Sequence, residues 1–143
     1  MILLDASALV GAFLGEPSAD EVEAILRGGE AAITSANLTK VIDVLVRILG
    51  NDLEAVEARL VPLLATTLPV MGIGEAEARR AAEIRISYYD RRDTPLSLAD
   101  CLLLGTAWVL DAAVATADLP VASCARSEGL EVVSLKDSAG RRP

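Results

Sequence analysis

Among its 143 residues the chain has no histidine. That removes the commonest general base and the commonest zinc ligand, so any chemistry must rest on other groups. Aromatic residues are scarce too, at 3%. Tyr88-Tyr89 is the one aromatic pair, and Trp108 and Phe13 stand apart from it, which argues against the stacking platforms of single-strand nucleic-acid binders. The two cysteines, Cys101 and Cys124, lack Cys-x-x-Cys spacing and read as reduced and buried, as expected of a cytoplasmic protein. No apolar run reaches spanning length, and the apolar opening Met1-Leu4 is cut by Asp5 with no basic stretch before it. Neither secretion nor membrane insertion is expected. Basic charge is also short: 13 Lys and Arg against 21 Asp and Glu give a net charge of −8. Such a chain repels a polyanion unless metal ions or local basic patches intervene, and it suits a basic partner peptide.

What remains is 52% hydrophobic, so the core must be built from Ala, Leu, Val and Ile. The length suits one domain, here expected over residues 1–135, with 136–143 as a polar, frayed tail. Strands are expected at Ile2-Leu4, Ala31-Thr34, Ala112-Thr116 and Glu131-Leu135, with a weaker one at Pro69-Ile73. Ser18 to Glu21 has capping-box spacing and opens a helix to about Arg27. A second helix runs from about Ala36 to Leu49, with Lys40, Asp43 and Arg47 on its polar face. Asn51 with Glu54 can cap the next helix, which Pro62 should kink or end. Gly74 to Tyr88, Ser97 to Leu110 and Leu119 to Glu128 complete the helices. This alternation argues for an α/β fold, a parallel sheet covered by helices on both faces. No repeat, low-complexity segment or interdomain linker interrupts it.

Three aspartates stand where strands hand over to helices: Asp5, Asp100 and Asp118. In open parallel sheets ligands bind at the strands' C-terminal edge, where the strand order reverses. Carboxylates gathered there suit Mg²⁺, which takes oxygen ligands and keeps several waters, and one or two such ions can drive phosphodiester displacement without histidine. Plainer readings stand beside this one. Asp5 can turn the chain, Asp118 can cap a helix, and Asp100 lies three residues after Ser97 and can complete a cap. Arg91 and Arg92 serve equally as phosphate contacts or as loop solubilisers.

Four segments carry a family likeness: Leu4-Asp5-Ala6-Ser7-Ala8-Leu9, Thr34-Ser35-Ala36-Asn37-Leu38-Thr39-Lys40-Val41, Leu96-Ser97-Leu98-Ala99-Asp100 and Ala115-Thr116-Ala117-Asp118. In this order and at these separations, the chain resembles the PIN-domain ribonucleases, and among them the VapC-type toxins of bacterial toxin–antitoxin pairs. The resemblance implies an α/β/α sandwich with a five-stranded parallel sheet and a Mg²⁺- or Mn²⁺-dependent endoribonuclease. It also implies a homodimer blocked by a cognate antitoxin. Carried over by position, Asp5, Asp100 and Asp118 become metal-site carboxylates, with Ser7 and Thr116 as supporting hydroxyls.

One position departs. The family's helix-borne glutamate falls on Lys40. Three carboxylates and one ammonium leave about −2 where four carboxylates carry about −4, and an ammonium about 4 Å from a divalent ion repels it by roughly 8 kcal/mol at an effective dielectric of ~20, before side-chain movement and water reduce this. The same lysine can instead pair with an aspartate as an internal cation. Asp43, three residues on, is a poor substitute because of its short reach. Lys40 therefore separates a ribonuclease toxin, active or weakened, from a non-catalytic subunit that binds an antitoxin or RNA. A phospho-acceptor domain ranks behind both, since no acid follows Asp5 until Glu16. The apolar helices around Leu38-Leu49 and Leu53-Leu68 are expected to form the groove for an antitoxin's C-terminal segment.

Overall fold

The computed structural model describes residues 1–143. Its five strands are β1 (Ile2–Leu4), β2 (Ala31–Thr34), β3 (Val70–Met71), β4 (Ala113–Thr116) and β5 (Val132–Ser134). All pair in parallel, in the order β3-β2-β1-β4-β5. The chain therefore builds outward from β1 on one side and then crosses to β4 on the other. The switch point lies between β1 and β4.

Side-chain alternation divides the core into two layers. Leu3, Ala32 and Val114 point to one side of the sheet, and Leu4, Ile33 and Ala115 to the other. The first layer is covered by α5 (Glu75–Tyr88), α6 (Leu98–Leu110) and α7 (Leu119–Ser127). The second is covered by α1 (Ala6–Leu14), α2 (Ala19–Arg27), α3 (Ser35–Asp43) and α4 (Leu53–Thr66). The result is the α/β/α sandwich with a five-stranded parallel sheet that the resemblance implied. No helix is long and apolar enough to cross a membrane.

Several local expectations are corrected. The helix after β2 does not run evenly to Leu49: α3 gives way to a π-helical turn over Val44–Ile48, which buries Leu45. Asn51 helps fix that turn, donating from both its backbone and side-chain amides to the Leu45 carbonyl. The cap of α4 is therefore Asp52, whose Oδ2 accepts the Ala55 N–H at 3.0 Å, and not Asn51 with Glu54. Pro62 neither ends nor splits α4, which is continuous through it. Pro62 and Ala58 both face solvent, so the carbonyl deprived of a helical partner is not trapped in the core.

The capping box expected at Ser18 is not made, because Ser18 Oγ has no partner and Glu21 is engaged elsewhere. Glu21 binds Arg142 of the tail at 2.8 Å. Arg142 also donates to the Ser134 carbonyl, and the Pro143 carbonyl accepts from Arg126 at 3.1 Å. The tail expected to fray is thus folded back onto β5 and α2.

Candidate acidic active site

The topology brings the predicted acids together. Asp5 follows the central strand β1, and Asp118 follows its neighbour β4. Asp100 sits in the first turn of α6, so the helix places it beside them. Lys40 comes from the last turn of α3.

Asp5 is buried, at 1% exposure. Its Oδ2 accepts the Ser7 hydroxyl at 2.6 Å and the Thr116 hydroxyl at 2.9 Å, while Oδ1 has no partner. Thr116 Oγ1 in turn accepts the Asp118 N–H at 3.0 Å, tying the β1 and β4 ends together. Asp118 also caps α7 by accepting the Val121 N–H at 3.3 Å. Asp100 forms a reciprocal cap with Ser97: its Oδ2 accepts the Ser97 N–H at 2.7 Å, and Ser97 Oγ accepts the Asp100 N–H at 3.2 Å. The plainer helix-cap readings of Asp100 and Asp118 are therefore true alongside their place in the acidic centre.

Lys40 does not share a solvated face with Asp43 and Arg47. Its Nζ reaches Asp100 Oδ1 at 2.5 Å and Ser97 Oγ at 3.4 Å. Asp43 is held by Arg47 through two bonds, at 2.5 and 2.7 Å, out in solvent. Asp43 is thus not available to the acidic centre.

The electrostatics follow from this crowding. Burial pushes the Asp5 carboxyl above its ordinary range, with Lys40 opposing and Asp100 reinforcing the rise. Burial likewise raises Asp118, against the Val121 N–H bond, with Asp5 and Asp100 adding to the rise. Burial works against the Lys40 charge, but Asp5 and Asp100 outweigh it and hold its pKa above the usual lysine value. The lysine is a firmly charged member of the centre.

Of the other candidates, Arg91 and Arg92 line a hollow of about 620 Å³ with Asp90, apart from the acids. Two features escaped the sequence reading. Asn37, one turn before Lys40 on α3, is buried with both side-chain amide atoms unpartnered. Arg141 and Arg142 line a cleft of about 260 Å³ with Ala117 and Leu119, the two neighbours of Asp118. An asparagine set among the apolar positions of α3 and a terminal Arg-Arg pair were the available signals.

Mg²⁺ and Mn²⁺ take hard oxygen donors, which these carboxylates supply, and the free Asp5 Oδ1 is the kind of acceptor a cation would use. Yet no three acidic side chains converge in a way that could hold an ion. The ammonium of Lys40 already takes Asp100. With lysine at this position, the centre does not fit a divalent ion.

The comparisons with known proteins agree with this architecture. The family model for the PIN domain matches residues 2–120, and the chain belongs to the PIN-domain family. Members of that family are typically nucleases and generally use divalent metal ions. VapBC2 from Rickettsia felis, bound to a promoter DNA fragment, is similar with a TM-score of 0.71 and 18% identity, over 92% of this chain and 97% of that one. FitAcB from Neisseria gonorrhoeae gives 0.67 and 23%, over 92% and 96%. The Mycobacterium tuberculosis toxin VapC20, described as cleaving the sarcin–ricin loop, gives 0.66 and 15%, over 86% and 94%. Identities this low speak for the fold. Among curated proteins, none matches the chain by sequence.

Proposed function

We propose that this chain is the toxin-lineage subunit of a type II toxin–antitoxin pair, a PIN-domain endoribonuclease whose hydrolytic activity is weakened or lost through Lys40. The observation that supports it most is the meeting of Asp5, Asp100, Asp118 and Lys40 at the switch point of the sheet. In the form with a carboxylate at position 40, the substrate is RNA, Mg²⁺ or Mn²⁺ is the cofactor, and phosphodiester hydrolysis is the reaction. Ser7 and Thr116 act by holding Asp5 in place rather than by touching substrate. The test is cleavage of a structured RNA pool with either ion, comparing this chain with Lys40→Glu.

A second reading is favoured by the Lys40–Asp100 pair itself: a subunit that binds antitoxin or RNA without cutting. Its protein partner would be an antitoxin, as in a solved toxin–antitoxin complex whose fold this chain shares. We assign the antitoxin segment to the apolar surface where the end of α1 meets the π-helical turn and α4. Leu14 is 50% exposed there and Leu53 46%, beside a small cleft lined by Phe13, Leu45 and Val56. Leu45 is itself only 2% exposed, so an acid at that position would attack the core rather than the groove. Leu14→Asp with Leu53→Asp is expected to abolish co-migration with the cognate antitoxin in size-exclusion chromatography while leaving the melting temperature nearly unchanged. An intact complex would remove the groove assignment.

The homodimer is assigned to the outer face of α5 and α6. Ile86 is 85% exposed and Leu98 64%, at the rim of an apolar hollow of about 540 Å³ that Tyr89 and Leu102 also line. Large exposed apolar patches mark interaction surfaces, and a two-fold contact lets one patch cover its copy. Light scattering should report a dimer for the unmodified chain and a folded monomer for Ile86→Glu with Leu98→Glu. A dimer that persists in the variant would place the contact elsewhere.

A further inference from the structure

The centre's own cation deserves a role. We propose that the Lys40 ammonium is the resident counter-ion of the acidic centre, standing in for a divalent ion so that the site is assembled and held without metal. The proposal rests on reading the acids as one site, and it adds what now occupies that site.

Four observations carry it. First, Lys40 Nζ meets Asp100 Oδ1 at 2.5 Å, in a pair whose carboxylate side chain is 5% exposed. Charge-assisted bonds of this length between partly dehydrated groups are directional, and breaking them leaves a buried charge without a partner. Second, both oxygens of Asp100 are occupied, Oδ1 by the ammonium and Oδ2 by the Ser97 N–H. An incoming ion would have to displace the lysine to gain that ligand.

Third, the lysine has no anion of its own helix to retreat to. Asp43, the acid nearest along α3, is held on both oxygens by Arg47. Fourth, Asp5 is buried with Oδ1 unpartnered, and Lys40 is the cation that offsets its charge. Its other neighbours at the centre are hydroxyls or carboxylates: Ser7, Thr116, Asp100 and Asp118. Without the ammonium, Asp5, Asp100 and Asp118 would repel one another with no cation among them. The ammonium, held by Asp100, relieves that repulsion, which the neutral hydroxyls of Ser7 and Thr116 cannot do.

A consequence separates this arrangement from an ordinary lysine near a metal site. The centre should be indifferent to divalent ions when Lys40 is present and should depend on them when it is absent. The test is Mn²⁺ titration by calorimetry, together with thermal unfolding with and without millimolar Mn²⁺, on the full chain, Lys40→Gln and Lys40→Glu. The unmodified chain is expected to give no binding heat and no shift in melting temperature. Lys40→Gln should melt lower than the unmodified chain and recover with Mn²⁺. Lys40→Glu should bind Mn²⁺ at least about a hundredfold more tightly than the unmodified chain. If Lys40→Glu does not fold in the absence of metal, Lys40→Gln alone carries the comparison.

Equal Mn²⁺ affinity in the unmodified chain and the variants would overturn the proposal. So would a Lys40→Gln protein that is as stable as its parent and insensitive to the ion. These readouts involve no RNA, so they stand apart from the nuclease reading: a Lys40→Glu protein that binds Mn²⁺ yet leaves RNA intact sinks the nuclease reading and leaves the counter-ion role standing.

Discussion

Lys40→Glu is expected to cut a structured RNA pool in Mg²⁺ or Mn²⁺ at least a hundredfold faster than the unmodified chain. The size of the effect follows from charge. The bare repulsion between an ammonium and a divalent ion about 4 Å apart is roughly 8 kcal/mol at an effective dielectric of ~20. If screening and side-chain movement leave about a third of it, the remaining ~2.7 kcal/mol corresponds to about a hundredfold. The substitution also supplies a fourth carboxylate, so the figure is a lower bound. Asp5→Asn in the Lys40→Glu background should abolish the gain, because Asp5 is the acid both sheet ends are built around. Equal cleavage with and without the substitution would mean that Lys40 does not limit the centre. If neither form cuts, the fold has been kept for binding, and the antitoxin surface beside α4 becomes the functional one.

The sequence made some of this legible and hid the rest, for physical reasons. Asp5 and Asp118 stood out because each ends a short apolar strand, and strand ends in a parallel sheet share one edge. Asp100 was visible through its spacing from Ser97, which the structure realises as a cap. The inward direction of Lys40 was legible only through the family resemblance, which set it at the glutamate position, and not through the helix pattern. A helical wheel groups it with Asp43 and Arg47, and what turns it inward is Asp100, which lies 60 positions further along the chain. The same limit applies to the tail, whose Arg142 is held by Glu21 across 121 positions. Local pattern fixes local structure, but pairings set by the fold need the fold.

The π-helical turn over Val44–Ile48 is a different kind of miss. Nothing in Val-Leu-Val-Arg-Ile distinguishes it from α-helix, since its apolar spacing suits both. The widened turn follows from what lies beyond it: the N–H of Leu49 donates to Val44 O at 2.9 Å, and Asn51 closes on Leu45 O. That closure leaves Leu45 in the core and carries the chain onward toward α4. The consequence for function is direct, because the same bend positions the apolar surface assigned to the antitoxin.

Gly105→Ala should lower the melting temperature by about 10 °C, although helix propensity alone predicts the opposite sign. Gly105 lies within α6, where alanine is worth about 1 kcal/mol more than glycine in an exposed helix. Here the space is already taken. A Cβ at this position would lie 2.6 Å from the Glu77 carbonyl oxygen, 2.7 Å from the Ala81 nitrogen and 3.1 Å from the Ala81 Cα. All three are backbone atoms of α5, so no side-chain rotation relieves the contact and the two helices must move apart. Overpacking of this kind costs typically 1–3 kcal/mol, and more where backbones must separate. Taking a net loss of about 3 kcal/mol and about 2–4 °C per kcal/mol for a domain near this size gives the stated shift. The displacement would also reach the site, because α6 carries Asp100 in its first turn and Arg85 of α5 donates to the Leu96 carbonyl just before it, at 2.7 Å. A Gly105→Ala protein that melts at or above its parent would show that α5 and α6 pack less closely than described and that Asp100 is positioned by its cap and by Lys40 alone.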